Sequence, residues 1–78
     1  MTTIERSLDA AWTAAEAALP DYAAGLSVGH ATYRQEAPDP KLFYAHIITA
    51  CEPEIGAYGP TPAAALWALR TALRAVLK

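Results

Sequence analysis

Gly59-Pro60-Thr61-Pro62-Ala63-Ala64-Ala65-Leu66 decides how the rest of this chain is read, because it marks the start of a helix. The Thr61 hydroxyl can accept from the free N–H groups of a first turn, and Pro62 suits the first helical position, where no N–H bond is lost. The spacing predicts a helix over about 62–77, with Leu66, Leu69, Leu73, Val76 and Leu77 as its apolar stripe. The same residues make a poor phosphate cradle, since Pro60 and Pro62 remove two of the backbone N–H groups such a loop uses.

Working outward, two strand-like runs precede this helix, at about 26–34 and 42–51, with Pro38-Asp39-Pro40 between them as turn residues. They read as an antiparallel hairpin. A turn centred near Pro38 sets His30 against His46, Thr32 against Tyr44 and Val28 against Ile48 on one face, which also holds Leu26. Ala31, Tyr33, Phe43, Ala45, Ile47 and Thr49 then form the more apolar face, the one assigned to the helices. After Glu52-Pro53-Glu54, the short run 55–58 makes a third strand. At the front of the chain, Thr2 and Glu5 have capping-box spacing, and Ile4, Leu8, Ala11, Trp12, Ala15 and Leu19 recur at helical spacing opposite Arg6, Asp9, Thr13 and Glu16. A helix over about 3–19 follows, ended by Pro20. Trp12 lies inside the apolar stripe and reads as a core anchor.

The predicted architecture is therefore a single α+β domain over 1–78, a two-layer sandwich of order α-β-β-(short β)-α with both helices on one face of an antiparallel sheet. Ala64, Ala68 and Ala75 on the last helix and Ala14, Ala17 and Ala18 on the first are small enough to let two helices touch. With nineteen alanines in 78 residues, much of the interior must be packed by backbone proximity. A chain this short buries only roughly 60% of its unfolded surface, so the core is thin and a partner surface would help.

Composition narrows the function classes. The chain is 54% hydrophobic and 18% charged, and it has no apolar run near the roughly 18 residues of a membrane span. With no basic region followed by an apolar one at Met1, a cytoplasmic location is expected. Cys51 is the only cysteine, which excludes an intramolecular disulfide and a thiolate zinc cluster; it reads as a small buried hydrophobe. The net charge of −2 is uneven, with −2 over residues 1–20, −3 over 21–60 and +3 from Arg70, Arg74 and Lys78. Three cations near a helix C-terminus suit the helix dipole, and an isoelectric point near 5.5 argues against nucleic-acid binding.

No catalytic constellation emerges. His30 and His46 with Tyr44 would form a polar island, but three protein ligands for a catalytic zinc are not assembled, and neither an orienting carboxylate nor a nucleophile–base pair is evident. Glu52 and Glu54 read as solvated turn carboxylates. No metal or cofactor is expected, and the chain reads as non-enzymatic. The face bearing Leu26, Val28, Tyr44, His46 and Ile48 is left unburied by a two-layer fold and is a candidate interaction surface for a protein partner, most simply a second copy in a homodimer. Trp67, on the flank of the last helix with Arg70 and Arg74, is a second candidate, since Trp and Arg are common in binding hot spots. The alternative for Trp67 is that it covers the sheet edge with the arginines stacked over it.

The residues Gly59, Thr61, Pro62, Ala65, Leu66, Leu69 and Ala72 resemble the Gly-x-Thr-Pro turn and Ala/Leu helix of HicB-like antitoxin domains and of small phage or prophage proteins, over about a quarter of the chain. The resemblance implies a protein-binding role without catalysis: an inhibitor of a host protein, such as a defence-system component, or an antitoxin or regulator of a small toxin. Here a long helix precedes the strands, whereas in HicB-like domains the strands come first. The element order also resembles that of double-stranded RNA-binding domains, whose last helix opens with a Lys-rich motif. Thr61-Pro62-Ala63-Ala64-Ala65-Leu66 stands in that place and carries no lysine, so the likeness is one of fold.

Overall fold

The computed structural model describes residues 7–33, 42–50 and 54–76, with Tyr33 described in its backbone alone. Among these residues two α-helices, α1 (Leu8–Ala17) and α2 (Pro62–Val76), flank in sequence three strands, β1 (Gly25–His30), β2 (Phe43–Ile48) and β3 (Gly56–Gly59). A 3-10 turn, Ala31–Tyr33, follows β1. The sheet is antiparallel in the order β1-β2-β3, and both helices lie on one face. This is the α+β two-layer sandwich the sequence predicts.

The Thr61 turn forms as expected. Ala64 N–H donates to Thr61 Oγ1 at 3.0 Å and Ala65 N–H to the Thr61 carbonyl at 2.9 Å, while Pro62 occupies the first helical position. Replacing Thr61 with alanine should cost about 1 kcal/mol, read as a lower urea midpoint at unchanged slope. An unchanged midpoint would show that the cap contributes nothing.

α2 lies across all three strands and supplies half of the core cluster. Leu66, Leu69 and Leu73 are fully buried, and each contributes roughly 1.5–3 kcal/mol of apolar transfer. They meet Leu26, Ala45 and Ile47 from the sheet. Val76, expected in the same stripe, is instead 63% exposed, because the last turn of α2 runs past the layer it covers. Leu77 lies outside the described residues.

α1 is shorter than the predicted 3–19 helix. Ser7 is extended (φ −65°, ψ 132°), which breaks any helix running through it, and its side chain accepts from Ala10 N–H as the cap. The Thr2/Glu5 capping box and Ile4 lie outside the described residues. α1 packs chiefly on α2 and buries Ala11 and Ala15, with Trp12 and Leu19 partly buried against the core, while Leu8 is 48% exposed. The helices do touch, but the alanines α1 buries are Ala11 and Ala15; Ala17, expected there, is exposed.

The hairpin register differs from the one centred on Pro38. Leu26 pairs with Ile47, Ser27 with His46, Val28 with Ala45, Gly29 with Tyr44 and His30 with Phe43. Val28 thus meets Ala45 and not Ile48. The ladder continues through Ala31 N–H to the Leu42 carbonyl at 2.9 Å before the chain turns away. The predicted pairing is off by three residues, and an odd slip moves a strand's side chains to the other face. In β2 the faces are as expected, with Phe43, Ala45 and Ile47 toward the helices. In β1 the faces are reversed, so Leu26 and Val28 join the helix side and His30 sits beside Phe43, with ring centroids 4.4 Å apart. The supposed His30/His46 and Thr32/Tyr44 pairs do not form. Cys51 and the Pro38–Pro40 turn lie outside the described residues.

Two of the four glycines are fixed by space. No glycine has positive φ, so conformational freedom is not their role here. A Cβ on Gly59 would stand 2.5 Å from the Ala65 amide nitrogen and 2.7 Å from the Ala64 carbonyl carbon; a Cβ on Gly56 would overlap the Tyr44 ring. The first glycine lets α2 sit directly on the end of β3, and the second makes room on the opposite face.

Candidate functional site

The face turned away from the helices carries Gly25, Ser27 and Gly29 from β1, Tyr44, His46 and Ile48 from β2, and Gly56 and Tyr58 from β3. The small residues of β1 leave the aromatic side chains of β2 and β3 standing above the sheet. Tyr44 and Tyr58 are directly opposite across the β2–β3 ladder, with centroids 4.8 Å apart and planes tilted by 43°. His46 also stacks on Tyr44, with centroids 5.2 Å apart and planes 19° apart. Three rings therefore form a row, and Tyr44 in its middle is only 9% exposed.

Glu54 locks this row. Ile47 N–H donates to the Ile55 carbonyl at 3.0 Å, which carries the β2–β3 ladder one pair beyond β3 and puts Glu54 on the side of Gly56 and Tyr58. Its carboxylate uses both oxygens: Oε2 accepts from the Tyr44 hydroxyl at 2.8 Å, and Oε1 lies 3.2 Å from His46 Nδ1. The same Nδ1 is 3.1 Å from the Ile47 carbonyl oxygen. Both neighbours of Nδ1 are acceptors, so a proton carried on Nδ1 satisfies them. Glu54 and His46 keep 40% and 28% of their side-chain surface, so the cluster is rigid on the inside and open at its rim.

This corrects the reading of Glu54 as a mere solvated carboxylate and of the face as lacking one. The alternation Glu54-x-Gly56-x-Tyr58 carries the signal, because period two puts all three on one face. Tyr58 carries the same signal, as the outward residue of a strand too short to show alternation by itself.

Chemically, the arrangement is an oriented imidazole beside a carboxylate. Ser27 lies opposite His46 in the ladder, yet no hydrogen bond joins them, so no nucleophile–base pair is completed. Among the described residues no group of three or more His, Cys, Asp or Glu is placed to hold a metal ion. The residues this face offers to solvent are Ile48, 47% exposed, and the partly exposed His46 and Tyr58, with Tyr44 packed against both of those rings.

The second set of candidates lies on the helical layer. Trp67 is partly buried against the core, and the Arg70 guanidinium carbon sits 5.6 Å from the centre of its ring. The Thr71 hydroxyl donates back to the Trp67 carbonyl at 3.1 Å. Arg74, one turn on, is exposed. Trp67 therefore both packs and carries a stacked arginine, and these residues are separated from Tyr44, His46 and Ile48 by the sheet itself.

Fold and site together define a small two-layer α+β domain whose helix-free sheet face carries a carboxylate-locked aromatic row. No protein-family model, no curated protein and no solved structure matches the chain. Among the described residues no helix is long and apolar enough to cross a membrane.

Proposed function

We propose that this domain is a non-enzymatic protein-binding module that docks through the helix-free face of its sheet, with Ile48, His46 and Tyr58 as contacts and Tyr44 as their support. The observation that carries the reading is the locked row itself. Three rings and a carboxylate are held in one geometry on a face that no described element covers, and side chains ordered in advance lose little entropy on binding. Aromatic residues with a wet polar tip beside an exposed isoleucine are the composition of a protein interface core. The partner is a protein of the host in which a phage or mobile-element chain would act. The turn and helix from Gly59 to Ala72 resemble those of HicB-like domains, and that resemblance supports a toxin as the alternative partner.

The test compares the wild-type chain with Ile48→Asp and Tyr58→Ala, each checked for an unchanged fold by circular dichroism. Immobilised wild type should retain a discrete protein from host lysate that both variants lose, and the purified pair should reconstitute with the same dependence. Retention of that protein by both variants overturns the sheet face as the contact. Size-exclusion chromatography with light scattering covers self-association: a mass above the 8.3 kDa monomer that collapses in Ile48→Asp makes the partner a second copy.

A further inference from the structure

We infer that the helical layer carries a second, independent binding surface, a groove built around Arg70 and Arg74 that takes an acidic helical segment of a protein, with carboxylates one turn apart. Two shallow depressions share these arginines. One, of about 330 Å³, is lined by Arg70, Thr71, Arg74 and Ala75, and the other, of about 240 Å³, by Arg70 and Arg74 with Ala14, Ala17 and Ala18 of α1.

Charge complementarity identifies the occupant. Arg70 and Arg74 are four residues apart on one helix, so their stems rise about 5–6 Å apart on the same flank. Neither meets a carboxylate among the described residues, although the whole chain carries eight acidic groups. Such unpaired forks bind carboxylates in a planar, two-point fashion. Arg70 is already held by Trp67, which lowers the entropy lost when it grips a ligand. Beside them, Ala14, Ala17 and Ala18 project only methyl groups, so a facing helix can come close enough for both carboxylates to reach. Ala17 is exposed, and Ala14 and the C-cap Ala18 keep part of their surface, Ala18 with its inner side packed against the core.

Among the described residues the helices do not supply the complement. α1 has Asp9 and Glu16, seven residues apart, and α2 has no acidic residue, so neither described helix presents carboxylates one turn apart. Nor does the groove fit nucleic acid, because two cations on a chain of net charge −2 are too few to follow a phosphate backbone.

The test is a titration of the full ¹⁵N-labelled chain, at low ionic strength, with a capped alanine-based helical peptide carrying two glutamates four residues apart. The expected result is a set of shift changes gathered on Ala14, Ala17, Ala18, Arg70, Thr71 and Arg74, with the Trp67 indole following. Affinity should fall about tenfold in the double variant Arg70→Gln/Arg74→Gln, and it should fall again as salt is added. Ile48→Asp should leave the titration unchanged, which separates this surface from the sheet face. Equal binding of the glutamine version of the peptide overturns the proposal. So does an equal response to inorganic phosphate alone, which would make the groove a small-anion site, and so does tighter binding of a single-stranded RNA oligomer at the same residues.

Discussion

Replacing Gly59 with alanine is expected to lower the melting temperature of this domain by roughly 12–24 °C, the shift corresponding to about 3 kcal/mol in a chain of this size. The cause is the seating of α2 on the sheet. Gly59 ends β3, pairs with Phe43 on the face that meets the helices, and is itself buried. An added methyl carbon would stand 2.5 Å from the Ala65 nitrogen and 2.7 Å from the Ala64 carbonyl carbon, both of them backbone atoms of the first turn of α2. Side chains can rotate away from a clash, whereas a helix backbone has to move as a body. Moving α2 would lift Leu66, Leu69 and Leu73 together from their contacts with the sheet and would disturb the Thr61 cap two residues on. A thermal melt followed by circular dichroism measures the effect. A shift of less than about 4 °C, the amount expected from 1 kcal/mol, would mean that the helix start accommodates the methyl group and that the close approach is not what seats α2.

That contact also explains which parts of the fold are legible in the sequence. Local chemistry with a fixed offset is readable: Thr61 as cap, Pro62 at the first helical position, and Leu66, Leu69 and Leu73 as a stripe all stand where their spacing puts them. Strand parity inside β2 is readable for the same reason, since Phe43, Ala45 and Ile47 against Tyr44, His46 and Ile48 is a local alternation. Pairing between strands is not local. The register of β1 depends on where the chain leaves the ladder, and it leaves at Ala31, where a 3-10 turn begins, and not at the prolines that advertise a turn. Val28 and Leu26 are apolar on a strand whose other face is glycine and serine, and that contrast, weighed above the prolines, would have turned β1 the right way round. The helix limits failed similarly at Ser7, a good cap that competes with the earlier Thr2/Glu5 pattern.

The candidate site was legible in its members and not in its chemistry. Tyr44, His46 and Ile48 do share the helix-free face, and Trp67, Arg70 and Arg74 do share a helix flank. What links Tyr44 and His46 is Glu54, which sits ten residues from Tyr44 in sequence and reaches it because the β2–β3 ladder runs one pair past the strand. A turn carboxylate becomes a structural anchor only when that extra pair is known. The same holds for Gly56, which reads as an ordinary residue of a short strand until the Tyr44 ring is placed over it.

Gly56→Ala should therefore uncouple the site from the fold. The new methyl would occupy the position of the Tyr44 ring edge and hydroxyl, so the ring must swing off the sheet. That movement breaks the Tyr44–Glu54 hydrogen bond, unstacks His46 and removes the support beneath Tyr58. A side chain gives way here where a backbone cannot, so the stability loss should be the smaller of the two glycine effects, about 1–2 kcal/mol, made of one hydrogen bond to a charged group and the lost ring contacts. The loss of binding should be much larger in proportion. With the row no longer held in one geometry, a partner must order several side chains at about 0.5–1.5 kcal/mol each, which weakens affinity by roughly tenfold to a hundredfold. Two measurements on one sample decide it: a urea midpoint, and partner affinity under conditions where the variant is fully folded. Tyr44→Phe supplies the control, because it removes the hydrogen bond to Glu54 and leaves the ring in place, and it should retain most of the binding if stacking dominates. If Gly56→Ala kept wild-type affinity while Ile48→Asp lost it, the exposed isoleucine and not the locked aromatic row would be the recognition element, and Glu54 would be an anchor of the fold alone.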